Sequence, residues 1–101
     1  NTQLISKQAS SDLVTMMEKV VQGKYGSGYK ARMPGYTVAG KTGTAETDPD
    51  NKRKPHAWFT SFAPYEDPRV VTVILIENSG EGAQYAAPAT REVLKWYFTH
   101  R

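Results

Sequence analysis

The chain has 101 residues, of which 39% are hydrophobic, 11% aromatic and 23% charged, with a formal net charge of +3. These figures fit one globular domain with a shallow core and exclude an intrinsically disordered chain. With no cysteine there is neither a disulfide framework nor a thiol nucleophile, which suits an exported bacterial protein as well as a cytosolic one.

Leu13, Met16, Met17, Val20 and Val21 recur at helical spacing and predict a helix over roughly residues 11–22. Ser10 suits its N-cap, Asp12 its first turn and Gly23 its end, and the methionine pair suits a core. Lys24 to Gly35 holds glycines and a Pro-Gly pair and reads as a loop. Tyr36 to Lys41 reads as a short strand. Thr44 to Pro55 is polar, with two prolines, and reads as a loop. Its basic cluster, Lys52, Arg53 and Lys54, has no interleaved aromatic residues, so a solvated surface is expected and no nucleic-acid partner. His56 to Ala63 is rich in aromatics and predicts a second strand. Tyr65 to Arg69 is a turn, Val70 to Glu77 a third strand, and Asn78 to Gly82 another turn. A helix is expected from Ala83 to His100, with Ala86, Ala89, Val93, Leu94 and Tyr97 on one face and Pro88 in the first turn.

The expected fold is α+β: helix, three-stranded antiparallel meander, helix. VVTVILIE is almost continuously apolar, like a strand covered on both faces, yet a three-strand meander leaves it at an edge. A neighbouring strand is therefore expected to be missing, and the chain to self-associate through Val70 to Glu77. The run is far too short to cross a bilayer, and no signal peptide opens the chain. Asn1 is not a start methionine, so a piece of a longer protein is expected.

GYTVAGKTGTAE, Gly35 to Glu46, matches two unrelated chemistries. Gly35 to Thr42 spells G-x-x-x-x-G-K-T, the phosphate-binding loop. Lys41 to Gly43 spells K-T-G, a motif of penicillin-reactive acyltransferases. The first needs a buried strand before Gly35 and a helix opening at the lysine. A Gly/Pro loop precedes Gly35 and TGTAETDPD follows the lysine, so a nucleotide site is disfavoured. The second needs an exposed strand edge of small residues, a fixed cation, hydroxyls for a carboxylate and an amide for an oxyanion. Ala39 to Ala45 meets that description.

VAGKTGTAE, then HAWFTSFAPYEDPRVVTVILIEN, then AAPATREVL, resembles the C-terminal part of the transpeptidase domain of penicillin-binding proteins, elongation-type class B members in particular. The resemblance runs from about Leu13 to the last helix. It implies a larger sheet-and-helix domain in which a serine attacks D-Ala-D-Ala peptidoglycan stems and is acylated by β-lactams. It gives Lys41 and Thr44 catalytic roles, the lysine as positive field and the Thr44 N–H as half of an oxyanion hole. Thr42, Gly43 and Thr44 would bind the substrate, the two hydroxyls holding its carboxylate. It implies no cofactor. The missing N-terminal part of the domain is expected as a partner, and an anchor elsewhere is expected to place the protein on the outer face of the cytoplasmic membrane.

The chain departs from the family pattern in having no S-x-N. Its one S-x-x-K, Ser27 to Lys30, sits among glycines just before K-T-G, whereas the family nucleophile opens a buried helix far upstream. The 101 residues are expected to carry one wall of a site and not its nucleophile. The alternative is a non-catalytic cell-wall or partner-binding module of the same fold; a nucleotide-binding protein is third. His56 and His100 have no metal-ligand spacing around them, so no metal is expected. Glu46 and Asp48 suit a solvated loop rather than an acid/base pair; Glu77, at a strand end, suits a structural place or an approach to the cleft. Trp58 and Phe59 should point to opposite faces. Trp96, Tyr97 and Phe98 cannot share one helix face.

Overall fold

The structure is a computed structural model that describes residues 2–46 and 54–100. Asp48, Lys52 and Arg53 lie outside the described residues. The elements are α1 (Lys7–Gln22), a 3-10 helix (Tyr29–Ala31), β1 (Ala39–Ala45), β2 (His56–Ala63), β3 (Val70–Ile76) and α2 (Ala86–Thr99). The strands form one antiparallel sheet in the order β1-β2-β3, the expected α+β meander.

The first helix begins a turn earlier than its apolar stripe. Ser6, not Ser10, is the N-cap: its Oγ accepts the Ala9 N–H at 3.0 Å. The Ser10 N–H already donates to the Ser6 carbonyl at 3.0 Å, so Ser10 lies inside the helix. Residues 7–12 are all exposed and polar or small, so periodicity carries no trace of that turn. Gly23 ends the helix as expected, its N–H bonded to the Lys19 carbonyl at 3.0 Å. The stripe is only half covered: Val21 is buried and Val20 packs on the core, whereas Leu13 and Met16 are 48% and 59% exposed. Met16 is therefore not core filler.

The loop after α1 folds back onto the helix end. Arg32 donates from Nε to the Val21 carbonyl at 2.7 Å and from Nη2 to the Gly23 carbonyl at 2.8 Å. It thereby satisfies acceptors that a helix C-terminus leaves unpaired. The Arg91 Nε of α2 donates to the Arg32 carbonyl at 3.0 Å, tying the two helices through one residue. Pro34 and Gly35 then reverse the chain. The Tyr36 N–H meets the Met33 carbonyl at 3.3 Å, and Gly35 has φ +84°, as the third residue of a type II turn requires.

That turn displaces β1 from its expected place at Tyr36 to Lys41. Tyr36 belongs to the turn, and the Thr37 carbonyl accepts the Tyr65 N–H at 3.0 Å. Pairing with β2 begins at Ala39 opposite Phe62 and runs to Ala45 opposite His56. The glycines, alanines and lysine of β1 are held extended by their partner strand rather than by propensity. At the other ends, Glu77 falls outside β3 and Ala83 to Tyr85 outside α2. Pro88 is the third residue of α2, within the first turn. The buried stripe of α2 is Ala86, Ala87, Thr90 and Leu94; Val93 is 45% exposed and does not belong to it.

Directly opposed residues of an antiparallel pair share a face. Phe59 is fully buried, between Thr42 on β1 and Ile74 on β3, and faces the helices. Trp58, one residue earlier, is 38% exposed, so the two rings point to opposite faces as expected. Val71, Val73 and Leu75 lie on the Trp58 side of β3 and are 72%, 61% and 42% exposed. The sheet is thus covered on one face only, unlike the two-sided burial that the apolar run implied.

Glycines make room for Phe59. A Cβ on Gly40 would lie 2.6 Å from its ring and one on Gly28 would lie 2.9 Å away. Replacing Phe59 with alanine is expected to cost about 3–5 kcal/mol of stability. Chemical denaturation would show it, and a loss below about 1 kcal/mol would refute this packing.

Candidate active site

The K-T-G triplet lies in the middle of β1, an edge strand. Its backbone groups alternate between β2 and the open side. The Val38 N–H, one residue before the strand, turns away from β2 and is accepted by Gln22 Oε1 of α1 at 3.2 Å. Gly43 lies directly opposite Trp58 of β2. Counting that alternation from Val38 puts Lys41 and Gly43 in the ladder with β2 and turns the N–H groups of Thr42 and Thr44 toward the open edge.

The side chains here are accessible. Lys41 and Thr44 are exposed, Thr42 and Gly43 partly so. Lys41 Nζ donates to the Thr42 carbonyl at 2.8 Å, which leaves two of the ammonium's three donors for other partners. Beside it lies an apolar recess of about 340 Å³ lined by Leu13, Met16, Met17, Val20 and Lys41. The four candidate residues, Lys41, Thr42, Gly43 and Thr44, are therefore consecutive on one open edge. They present a cation, two hydroxyls and two outward amides.

The other candidates fall elsewhere. Gly40, Lys41 and Thr42 are strand residues, and no helix opens at the lysine, so the geometry of a phosphate-binding loop is absent. Ser27 is exposed on a turn, and Lys30 lies in the 3-10 helix of three residues. No long helix starts at that serine. The segment is nevertheless folded and not a loose loop, since the Gly28 N–H bonds to the Val20 carbonyl at 2.8 Å. His56 opens β2 and accepts the Asn78 N–H at Nδ1, 2.9 Å away. Among the described residues no cluster of His, Cys, Asp and Glu could hold a metal. Glu46 and Glu77 are exposed. Trp96 is 62% exposed and stacks on His100 at 4.5 Å, while Phe98 stacks on Tyr36 at 4.1 Å.

Two contributors escape a reading of the sequence. Gln22 looks like a polar residue at a helix end, and only the fold brings its amide to β1. Gly82 reads as a turn glycine, and only the fold lays it against Gly43.

The chain matches the family model of the penicillin-binding protein transpeptidase domain over residues 1–95. It is 38% identical over 98 residues to the peptidoglycan D,D-transpeptidase MrdA of Haemophilus influenzae, covering 84% of this chain and 15% of that protein. The D,D-transpeptidase domain of a peptidoglycan glycosyltransferase from Eggerthella lenta superposes with a TM-score of 0.82 at 38% identity, over 98% of this chain and 22% of that one. Penicillin-binding protein A of M. tuberculosis, solved as an imipenem acyl-enzyme complex, gives a TM-score of 0.77 at 34% identity, over 97% and 21%. The chain therefore spans less than a quarter of the length of each. With the K-T-G edge strand and these relatives together, the chain belongs to the penicillin-binding protein transpeptidase family, and its relatives are of the elongation-type class B kind.

Proposed function

We propose that this chain is the K-T-G-bearing portion of a peptidoglycan D,D-transpeptidase and forms one wall of a serine acyl-transfer site. The observation that carries this reading is the edge strand, with Lys41, Thr42 and Thr44 exposed or partly exposed on it and, by strand alternation, the amides of Thr42 and Thr44 turned toward its open side.

In the proposed reaction the rest of the domain supplies the serine. Its hydroxyl attacks the penultimate D-Ala carbonyl of a stem, and the terminal D-Ala leaves as the amine. An amine of a second stem then takes the acyl group and frees the serine. Lys41 supplies positive charge beside the serine. The hydroxyls of Thr42 and Thr44 hold the terminal carboxylate, and Gly43 adds no side chain that would keep the substrate off the edge. The Thr44 N–H faces the oxyanion as the tetrahedral intermediate forms. One such donor is worth about 3 kcal/mol of barrier. β-Lactams carry the same carboxylate and acyl carbonyl and would acylate the same serine.

The uncovered sheet face fits this reading. Trp58, Val71, Val73 and Leu75 form an apolar surface that a free-standing domain would not leave bare. We assign it, with the recess beside Lys41, to contact with the remainder of the transpeptidase domain. A chain separated from that remainder should be inactive and should self-associate through the free edge of β3. The whole protein should work on the outer face of the cytoplasmic membrane, held by an anchor in another part. Among the described residues no helix is long and apolar enough to cross a membrane.

Fluorescent penicillin tests the function. The full-length protein carrying this segment should be labelled covalently at a serine outside residues 1–101. Lys41→Ala should slow labelling by about 100-fold or more, on the scale of losing a preorganised charge at the site. An unlabelled full-length protein would favour the non-catalytic binding module. Val71→Ala should cost under about 0.5 kcal/mol in the isolated chain and more than about 1 kcal/mol in the full-length protein, as burial of that methyl surface requires. Equal costs in the two would refute the assignment of that face. Sedimentation velocity on the isolated chain should show association, and a monodisperse monomer would refute it. ATP should leave the melting temperature unchanged, and a shift would revive the phosphate-binding reading.

A further inference from the structure

Gly82 lies between β3 and α2, opens the turn that leads into the helix, and is buried. A Cβ on it would lie 2.3 Å from the Trp58 oxygen, 2.6 Å from the Gly43 oxygen and 3.1 Å from the Gly43 nitrogen. All three are backbone atoms, so no rotamer can relieve the clash. The φ of Gly82 lies outside the left-handed range, so space and not backbone freedom demands glycine here. The Cβ side of Gly43 meets only the Trp58 Cβ, at 3.3 Å, so Gly82 sits on the other face of the sheet, the one α2 covers.

The turn that carries Gly82 is clamped on both flanks. The Gly80 N–H donates to the Pro55 carbonyl at 3.1 Å and the Asn78 N–H to His56 Nδ1 at 2.9 Å, which pins one flank to the start of β2. The Gly82 carbonyl accepts the N–H groups of Ala86 and Ala87, both at 3.0 Å, which pins the other flank to the first turn of α2. Among the described residues β2 is paired on both sides, whereas β1 is paired on one side only. An atom added at Gly82 therefore displaces β1 most easily, and it does so at Gly43, between Thr42 and Thr44.

We propose that Gly82 is a positioning residue for acyl transfer: by resting bare backbone on Gly43 it fixes the height of the K-T-G edge, and so the place of the Thr42 and Thr44 donors. This inference rests on the function proposed for that edge. It makes the start of α2 the backing of the site, although no side chain of α2 has a role in the chemistry.

The test is the acylation rate constant at saturating benzylpenicillin, with the melting temperature, in the full-length protein carrying this segment. Gly82→Ala should slow acylation by about 100-fold, the scale of a 1 Å misplacement at a reacting centre. Leu94→Ala, a cavity in the same helix away from β1, should lower the melting temperature at least as much and leave the acylation rate constant within about threefold of the original. A Gly82→Ala protein that acylates at the original rate overturns the inference. So does a Leu94→Ala protein slowed as much as Gly82→Ala, because loss of stability would then explain both. If Gly82→Ala does not fold, Gly80→Ala takes its place. It strains the same turn at φ +112° and meets only the Tyr85 ring, at 3.2 Å. Acylation slowed well beyond that of Leu94→Ala supports the inference, and a rate no slower than that of Leu94→Ala overturns it. A parent protein that does not acylate at all refutes the proposed function instead.

Discussion

The Phe59 ring occupies space that side chains at Gly28 and Gly40 would otherwise need. Its ring reaches across β1 at Gly40 to Gly28, in the segment after α1, beside Val20 of the helix. Three separate parts of the chain therefore meet on one side chain: the middle strand, the edge strand just before Lys41, and the segment that folds back after the first helix. Dispersion contacts of that density exist only because two neighbours are bare backbone. The small residues around K-T-G serve two ends at once. On the inner face they admit the ring; along the outer edge they leave the backbone approachable.

The edge strand is held in place by groups that do no chemistry. Gln22 receives the Val38 amide just before the strand, and the 78–82 turn backs Gly43. Arg32 and Arg91 bind the end of α1, which packs on the strand, to α2, which packs on its neighbours. This is the arrangement expected where donors must stand at fixed points before a reaction begins, since preorganisation rather than added binding lowers a barrier.

Much of this was legible in the residues. Element order and the Trp58/Phe59 alternation followed from periodicity alone, and the K-T-G edge followed from small residues beside a lysine. Three kinds of information were not legible. Ser6 caps α1 from a turn whose residues are all exposed, and exposure leaves no hydrophobic period to read. The start of β1 at Ala39 rather than Tyr36 is set by where β2 pairs with it, a long-range cause, since the Gly, Ala and Lys residues there favour no strand on their own. The alternating burial of β3 could not be told from two-sided burial, because the outward residues are as apolar as the inward ones. Gly82 shows the same limit in a single residue. A turn glycine and a glycine on which a strand rests are the same letter.

The open side of β1 has a consequence for solubility. Unpaired amides and carbonyls along an extended segment are a template for any peptide of matching length, and another copy of the same segment is always at hand during synthesis. A lysine in the middle of such a segment works against that fate. Two copies laid edge to edge about this point would bring two ammonium groups together, and like charges opposed across a ladder are unfavourable. Lys41 thus stands as a gatekeeper of its own edge: the charge proposed to serve an anionic substrate also disfavours a twin.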